Sequence, residues 1–598
     1  VPQVGGFLPF PNAGDLWTAY GRSFDPRGFG ATAAVPTGWV VAAVLSVVTL
    51  FRMALFQTLC VVGLHVLGGL GAWRLGTVFP TNRARIAMFL VYIGTPLVPG
   101  LLQTGDFAAL VWYGALPWLL HGARSAAGLA TADPLSSAVE LTDGVVDPGW
   151  RERVRWVALV TIVAGVAFAV VPASAVLWPF VGLLTAVATL VAGGSWRVAA
   201  WFAAVTVVST AAGLVLNLPW ALDWNRATVI GSRGAGATGR SLVEVATLAP
   251  DLDRFAVLAL ALYLPVLAAL AITRAWRLTW AVRGAALVVV FGAAMVFGER
   301  GSLSGWVPAT SLLAVPVALG LGLAAAALAG GFGSDVLARG FGWRQPVALL
   351  ANVSIVIGLI PAVVAVGNGS WHAPTKSLPR LAAGQFRVEP GAGDYRVLYV
   401  GDPRTMPVPP REYADGVAYA VVDAGPLSFT DRFDTPVTSG DDAVAEALGL
   451  IAAGSTLRAG RLLAPLGIRF VVVPVTDGSA STIDRPIEQP AGLLDALGNQ
   501  LDLGAIQGDP SLSIFLNQAW IPVGAQLSGA TAEASRLAGA EVLVQADLSD
   551  AVASMRGADG YPESANEVAP GVVHVAVPFE PRLTLDVDGA EVVGRPGF

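Results

Sequence analysis

Before Val366 the chain is a succession of apolar runs, and this pattern limits its possible folds more than any other feature. A helix rises about 1.5 Å per residue, so roughly 20 apolar residues cross a hydrocarbon core about 30 Å thick. Runs of this kind cover 53–73, 86–102, 154–171, 174–192, 197–217, 255–272, 279–297, 308–330 and 346–366. Two shorter stretches, 38–51 and 107–120, read equally as tilted spans, re-entrant segments or interfacial helices. The expectation is an α-helical multi-pass membrane bundle of about eleven membrane segments. Composition agrees: 55% of residues are hydrophobic and 13% charged, against roughly a quarter charged in soluble domains.

The two parts of the chain differ in charge. Residues up to Val366 are net positive and the remainder strongly acidic, giving −6 overall, so nucleic acid is not an expected partner. Cys60 is the only cysteine and lies in an apolar run, which excludes an intrachain disulfide and argues against thiol chemistry and a cysteine metal site. Lys376 is the only lysine among 36 basic residues, a bias that fits a GC-rich bacterial genome. The sequence opens on Val1 without a signal-peptide pattern, so a piece of a longer protein is expected.

Short cytoplasmic loops are enriched in basic residues. Arg74, Arg83 and Arg85; Arg151, Arg153 and Arg155; Arg274, Arg277 and Arg283; and Arg339 and Arg344 mark four such loops. They alternate with arginine-poor connections near Asp106, Pro172 and Glu299 if 107–120 spans. This alternation predicts a bacterial cytoplasmic-membrane protein with 218–254 and everything after Val366 outside. Residues 1–37 lie outside only if 38–51 does not cross. Prolines in or beside the spans, such as Pro96, Pro117 and Pro316, read as kinks shaping the bundle.

After Val366 the periodicity changes. Strand-like runs 395–400, 417–422, 468–473 and 513–516 alternate with helical patterns at 442–453, 456–465 and 490–500. The expected organisation is an external N-terminal loop with interfacial helices (1–37), a transmembrane domain (38–366), an extracytoplasmic α/β domain (367–525) and a small β-rich domain (526–598). The last carries strand-like runs at 542–545, 572–577 and 583–587.

The four histidines, at 65, 121, 372 and 574, are scattered without metal-ligand spacing. No phosphate-binding GxxxxGK[ST] loop or GxSxG elbow occurs, and the glycine-rich stretch from Gly231 follows no strand. Chemistry is better sought where acids, arginines and aromatics meet the outer face. The opening carries Asp15, Trp17, Tyr20, Arg22, Asp25 and Arg27; a second loop carries Trp220, Asp223, Trp224 and Arg226. Carboxylates can take a proton from a sugar hydroxyl, arginines can hold a phosphate bidentately, and indoles favour the headgroup layer. The plainer reading of each loop is a solvated interfacial segment with an aromatic belt. Asp106 stands at a helix start, where capping alone would explain it.

These residues resemble a known family. Leu8-Pro-Phe-Pro with Asp15-Leu-Trp, Asp25-Pro before Gly28-Phe-Gly, Gly105-Asp followed by Leu116-Pro-Trp, and Asn217-Leu-Pro-Trp recur in order. Later come Tyr395-Arg-Val-Leu-Tyr-Val-Gly-Asp-Pro, the segment Leu462–Pro474, and Asn517-Gln-Ala-Trp-Ile-Pro. Together they are similar to large actinobacterial membrane glycosyltransferases that join a family-2 glycosyltransferase domain to a GT-C-like multi-pass region and an external domain. The resemblance implies a role in cell-envelope polysaccharide biosynthesis from polyprenyl-phosphate sugars, with a glycan acceptor and membrane lipid as partners. The family-2 domain is missing from this sequence. No cofactor is evident in this chain, and a divalent metal is expected only in that absent domain. An external-loop acid acts as base in GT-C enzymes, and the resemblance places that role on Asp15 or Asp25. Arg22, Arg27, Asp106, Trp220, Asp223, Trp224 and Arg226 are then candidate substrate-binding residues. The alternative expectation is a non-catalytic transport or scaffold module that passes on a glycolipid made by a cytosolic domain.

Overall fold

A computed structural model describes residues 7–21, 24–129, 148–230, 241–248, 254–303, 305–336, 342–368, 381–382, 384–386, 393–414, 416–476, 486–537, 540–554, 569–581 and 584–597. The chain divides into two compact units. One holds the described residues of Val1–Leu8, Thr18–Val35 and Thr375–Phe598, and the other those of Pro9–Trp17 and Pro36–Pro374.

The helical unit begins with part of α1 (Ala13–Gly21) and with α2 (Thr37–Leu45), which tightens into a 3-10 turn at Ser46–Thr49. Then come α3 (Met53–Leu75), α4 (Asn82–Gly94), α5 (Leu97–Thr104), α6 (Phe107–Ala126), α7 (Trp150–Val170), α8 (Ser174–Val191) and α9 (Trp196–Val215). Two short helices follow, α10 (Arg226–Ile230) and α11 (Leu242–Thr247), before a 3-10 segment Arg254–Tyr263 that runs into α12 (Leu264–Ile272). The last three are α13 (Ala275–Glu299), α14 (Thr310–Gly331) and α15 (Arg344–Gly367).

Nine of these elements among the described residues are long and apolar enough to cross a membrane, so the chain has the make-up of a multi-pass membrane protein. Helix α6 is as long, at 20 residues, but less apolar because it carries His121 and Arg124. The α4–α5 pair forms one span broken at Thr95-Pro96, where Thr95 is extended, as a residue before proline prefers. A helix that is apolar on every side belongs in the middle of a bundle. Helix α14 carries no charge over 22 residues, and its most apolar stretch is 94% buried, against 22% in α3. Glycines let α13 approach α14: a Cβ on Gly320 would stand 2.5 Å from the carbonyl oxygen of Gly284, and one on Gly284 2.7 Å from that of Gly320.

Contacts separate two ends of the bundle. At the arginine end the Arg124 guanidinium donates to the carbonyl of Arg74 and to Thr77 Oγ1, and Arg277 forms a bidentate pair with Asp335. At the acid end Ser311 donates to Asp106, and Arg226 donates to the carbonyl of Gly305. The α2–3-10 element is 13 residues long, too short to cross. Both its ends lie at the acid end, since Thr37 Oγ1 donates to the carbonyl of Asn217 and Phe56, in the first turn of α3, touches Phe10. With α6, ten elements of membrane-spanning length occur among the described residues.

In the other unit a six-stranded mixed sheet has the order β2-β3-β1-β4-β6-β5. Its strands are β1 (Arg396–Gly401), β2 (Arg411–Ala414), β3 (Val417–Asp423), β4 (Ile468–Pro474), β5 (Leu503–Ile506) and β6 (Leu512–Asn517). The central strands β1 and β4 run parallel, the arrangement a helical crossover produces; here α16 (Ser439–Ala452) and α17 (Ala459–Leu463) lie between β3 and β4. Strands β1 and β4 are almost wholly buried, and apolar clusters cover both sheet faces. A three-stranded sheet, β8-β7-β9, and a two-stranded ribbon, β10-β11, follow. They are formed by β7 (Gly524–Leu527), β8 (Ala551–Ala553), β9 (Val572–Val575), β10 (Thr584–Val587) and β11 (Ala590–Val593). The run 542–545, read from sequence as a strand, is instead part of a helix, Ala540–Gln545. Three apolar residues followed by Gln545 carry too little periodicity to tell the two apart.

Candidate functional site

Asp25 and Arg27 are engaged with each other. Arg27 Nε and Nη2 meet the two carboxylate oxygens at 3.0 and 2.6 Å, and the Arg27 backbone N–H donates to the same carboxylate. Nη1 donates to the carbonyls of Thr430 and Phe433, and Nη2 to that of Asp434. Asp25 and Ala31 bridge through their backbones, closing a loop in which Gly28 and Gly30 take positive φ. Burial disfavours the charged guanidinium, but Asp25, Asp431 and Asp434 outweigh it and hold the Arg27 pKa above its ordinary value. Both side chains are buried. The pair thus fastens the 25–31 loop to the sheet unit, and neither a free carboxylate nor a free phosphate ligand is left. Beside it lies a small pocket lined by Arg27, Arg411, Tyr419, Asp423, Asp431 and Asp441. Arg411 pairs with Asp441 at 2.7 Å and Arg396 with Asp423 at 3.4 Å.

Asp15 is different. It lies exposed in the first turn of α1, with Asn12 Nδ2 donating to it at 3.1 Å. The same N-terminal segment packs through Phe10, edge-on, against Phe56 and Phe107 at centroid distances of 5.6 and 5.9 Å. Phe107 follows Asp106 directly, so this segment is held at the acid end of α3 and α6. Arg22 lies outside the described residues.

Asp106 does more than cap α6. One oxygen accepts from the Ala109 backbone N–H at 2.9 Å, and the other accepts from Ser311 Oγ at 2.6 Å. Glu299, the last residue of α13 and buried, accepts from Thr310 Oγ1. Two carboxylates from separate helices therefore meet neighbouring hydroxyls in the first turn of α14, where the helix dipole favours negative charge. Sequence reading singled out neither Glu299 nor the Thr310-Ser311 step as a site. An acid ending a long apolar helix was the available signal, because ionisable groups at membrane depth are costly and mark function.

The second predicted loop also lies at this end. Trp220 and Trp224 pack edge to face at 5.1 Å, with Trp220 buried and therefore no open platform. Asp223 is exposed. The Arg226 guanidinium lies over the Trp306 ring at 4.3 Å while donating to Gly305. The Trp224 indole N–H, Asn217 Oδ1 and Gln103 Oε1 are buried here without hydrogen-bond partners, a condition that costs free energy unless water or a ligand satisfies them. The structure thus brings Asp106, Arg226 and the tryptophans to the end that also holds Asp15, and places Asp25 and Arg27 in the other unit. No group of three or more candidate metal ligands occurs among the described residues. Comparison with protein-family models, curated proteins and solved structures gives no match to the chain.

Proposed function

We propose that this chain is the membrane portion of a GT-C-like glycosyltransferase that builds cell-envelope polysaccharide from polyprenyl-phosphate-linked sugars. The observation that carries the reading is the convergence of Asp106 and Glu299 on Ser311 and Thr310 at one end of a membrane-length bundle. Exposed Asp15 stands at the same end. On this reading the acid end faces outward, the positive-inside rule puts the arginine end in the cytoplasm, and the sheet unit is extracytoplasmic. An acid-end carboxylate, Asp106 or Asp15, accepts the acceptor hydroxyl proton. The acceptor oxygen bonds to the sugar anomeric carbon as its bond to phosphate breaks, and polyprenyl phosphate leaves with the bonding electrons. Arg226 is suited to the departing phosphate because its guanidinium is exposed and already oriented over Trp306.

The test is Asp106→Asn alone and with Asp15→Asn, assayed for sugar transfer from a polyprenyl-phosphate donor to glycan acceptor by the full-length protein. Asparagine caps helices as well as aspartate, so the fold is preserved while the base is removed. General-base loss typically costs about 10²–10⁴-fold in rate, and a drop of that size in the double variant is expected. Unchanged transfer removes the acids from catalysis and leaves the transport or scaffold reading.

A further inference from the structure

The arginine end repeats one dipeptide. Tryptophan is followed directly by arginine at 73–74, 150–151, 196–197, 276–277 and 343–344. With 18 tryptophans and 36 basic residues in 598 positions, chance placement gives about one such step. All five fall at the arginine end, at the C-terminus of α3 and the N-termini of α7, α9, α13 and α15. In four of them the guanidinium lies over the ring of its own tryptophan neighbour, at 5.6 Å for Arg151, 5.9 Å for Arg197, 5.4 Å for Arg277 and 5.6 Å for Arg344. Such stacking orients an arginine without consuming its N–H donors.

Three of the tryptophans project outward: Trp150 is 70% exposed, Trp196 69% and Trp343 56%. Arg74, Arg151 and Arg197 are exposed as well. Among the described residues this end offers Glu152 and Asp335 as acids, and Asp335 is held by Arg277. Indole rings favour the headgroup depth of a bilayer, and guanidinium forks match phosphate oxygens. Indoles and guanidiniums gathered at one end of the bundle, with more arginines than acids among the described residues there, complement an anionic leaflet.

We infer that the five Trp-Arg steps form a collar that selects acidic phospholipid headgroups around the arginine end. This surface is separate from the acid-end carboxylates, and the inference stands whether or not the chain transfers sugar. A basic side chain at an anionic membrane surface gains roughly five-fold in binding, so three together contribute on the order of 100-fold.

The experiment is competitive retention. Full-length protein in mixed micelles with equal phosphatidylglycerol and phosphatidylcholine is analysed by native mass spectrometry at low and high potassium chloride. The wild type is expected to retain phosphatidylglycerol at least ten-fold over phosphatidylcholine, with the preference shrinking at high salt as screening shortens to a few ångströms. Arg74→Gln/Arg151→Gln/Arg197→Gln is expected to bring retention towards parity, and each single variant to lower it in part, which keeps the test open if the triple variant fails to fold. Parity in the wild type, an unchanged preference in the variants, or displacement by millimolar inorganic phosphate as effective as by added phosphatidylglycerol overturns the collar.

Discussion

The two units accommodate charge in opposite ways. In the sheet unit, arginines are matched to carboxylates: Arg27 and Asp25 as a buried pair, Arg411 with Asp441, and buried Arg396 with a partly exposed Asp423 while it also holds the carbonyls of Leu466 and Ala576. In the helical unit, charge is kept at the two ends and is met largely by hydroxyls, carbonyls and rings. Asp106 and Glu299 face Ser311 and Thr310, Arg124 caps carbonyls of Arg74 and Leu129, and Arg283 lies over Trp280 at 4.3 Å. The difference follows from the surroundings. A mixed sheet with apolar clusters on both faces can bury an ion pair within its core, whereas the apolar flank of a membrane-length bundle leaves only its ends for ionised groups.

The comparison breaks first at Arg27. Arg27→Ala leaves Asp25 buried without its counter-charge, and a loss of about 3–5 kcal/mol from the sheet unit is expected. Earlier proteolysis of the 25–31 loop and a lower melting temperature of the full-length protein would report it. Replacing both partners with apolar residues of similar size should recover most of the loss; failure to recover would mean that the pair does more than fasten the loop.

Helix contact in the bundle gives the next effect. Gly320→Val places a side chain where the Gly284 carbonyl now stands, and overpacking of this kind costs about 1–3 kcal/mol. The expected readout is a lower thermal midpoint in detergent with the acid-end hydrogen bonds weakened, since α13 and α14 carry Glu299, Thr310 and Ser311. A variant as stable as the wild type would show that the backbones need not approach so closely.

The smallest effect is electrostatic. Burial pushes the Asp423 carboxyl up to about 6, against the opposing pull of Arg396. The folded state therefore holds its proton to higher pH than the unfolded chain, whose Asp titrates near about 4. Stability from this group is present below the unfolded value and is lost as pH rises towards 6. Its side chain keeps 40% of its exposure, so solvent reduces the effect to about 1 kcal/mol. Melting curves of Asp423→Asn and wild type should diverge by that amount between pH 4 and pH 7, with the variant gaining relative stability at the higher pH. Parallel curves would remove Asp423 from the pH response.

The nine membrane-length helices among the described residues are legible in the apolar runs because hydrophobic length is a property of consecutive residues. The same holds for β1, β3, β4 and β6, whose β-rich runs stood out between helical patterns. Segment 38–51 was not legible: its composition suits a span, and only the contacts of Thr37 and Phe56 bring both its ends to the same end of the bundle. Asp25 and Arg27 were legible as charged residues beside aromatics, but their partners Thr430, Phe433 and Asp434 lie some four hundred positions away. In sequence Glu299 reads only as the marker of an arginine-poor connection, and its hydrogen bond from Thr310 Oγ1 is visible only in the fold.

By itself, then, the sequence determined the class of the molecule: many apolar helices with arginines gathered in alternate loops, then an acidic α/β region. These follow from local length, periodicity and charge, which need no fold to be read. Tertiary structure alone decided which helices the Phe10 segment packs against, which acids are locked in pairs, and which carboxylates meet at the first turn of α14. Those outcomes depend on contacts between residues distant in the chain, and in low-dielectric surroundings the partner determines what a charged side chain can do.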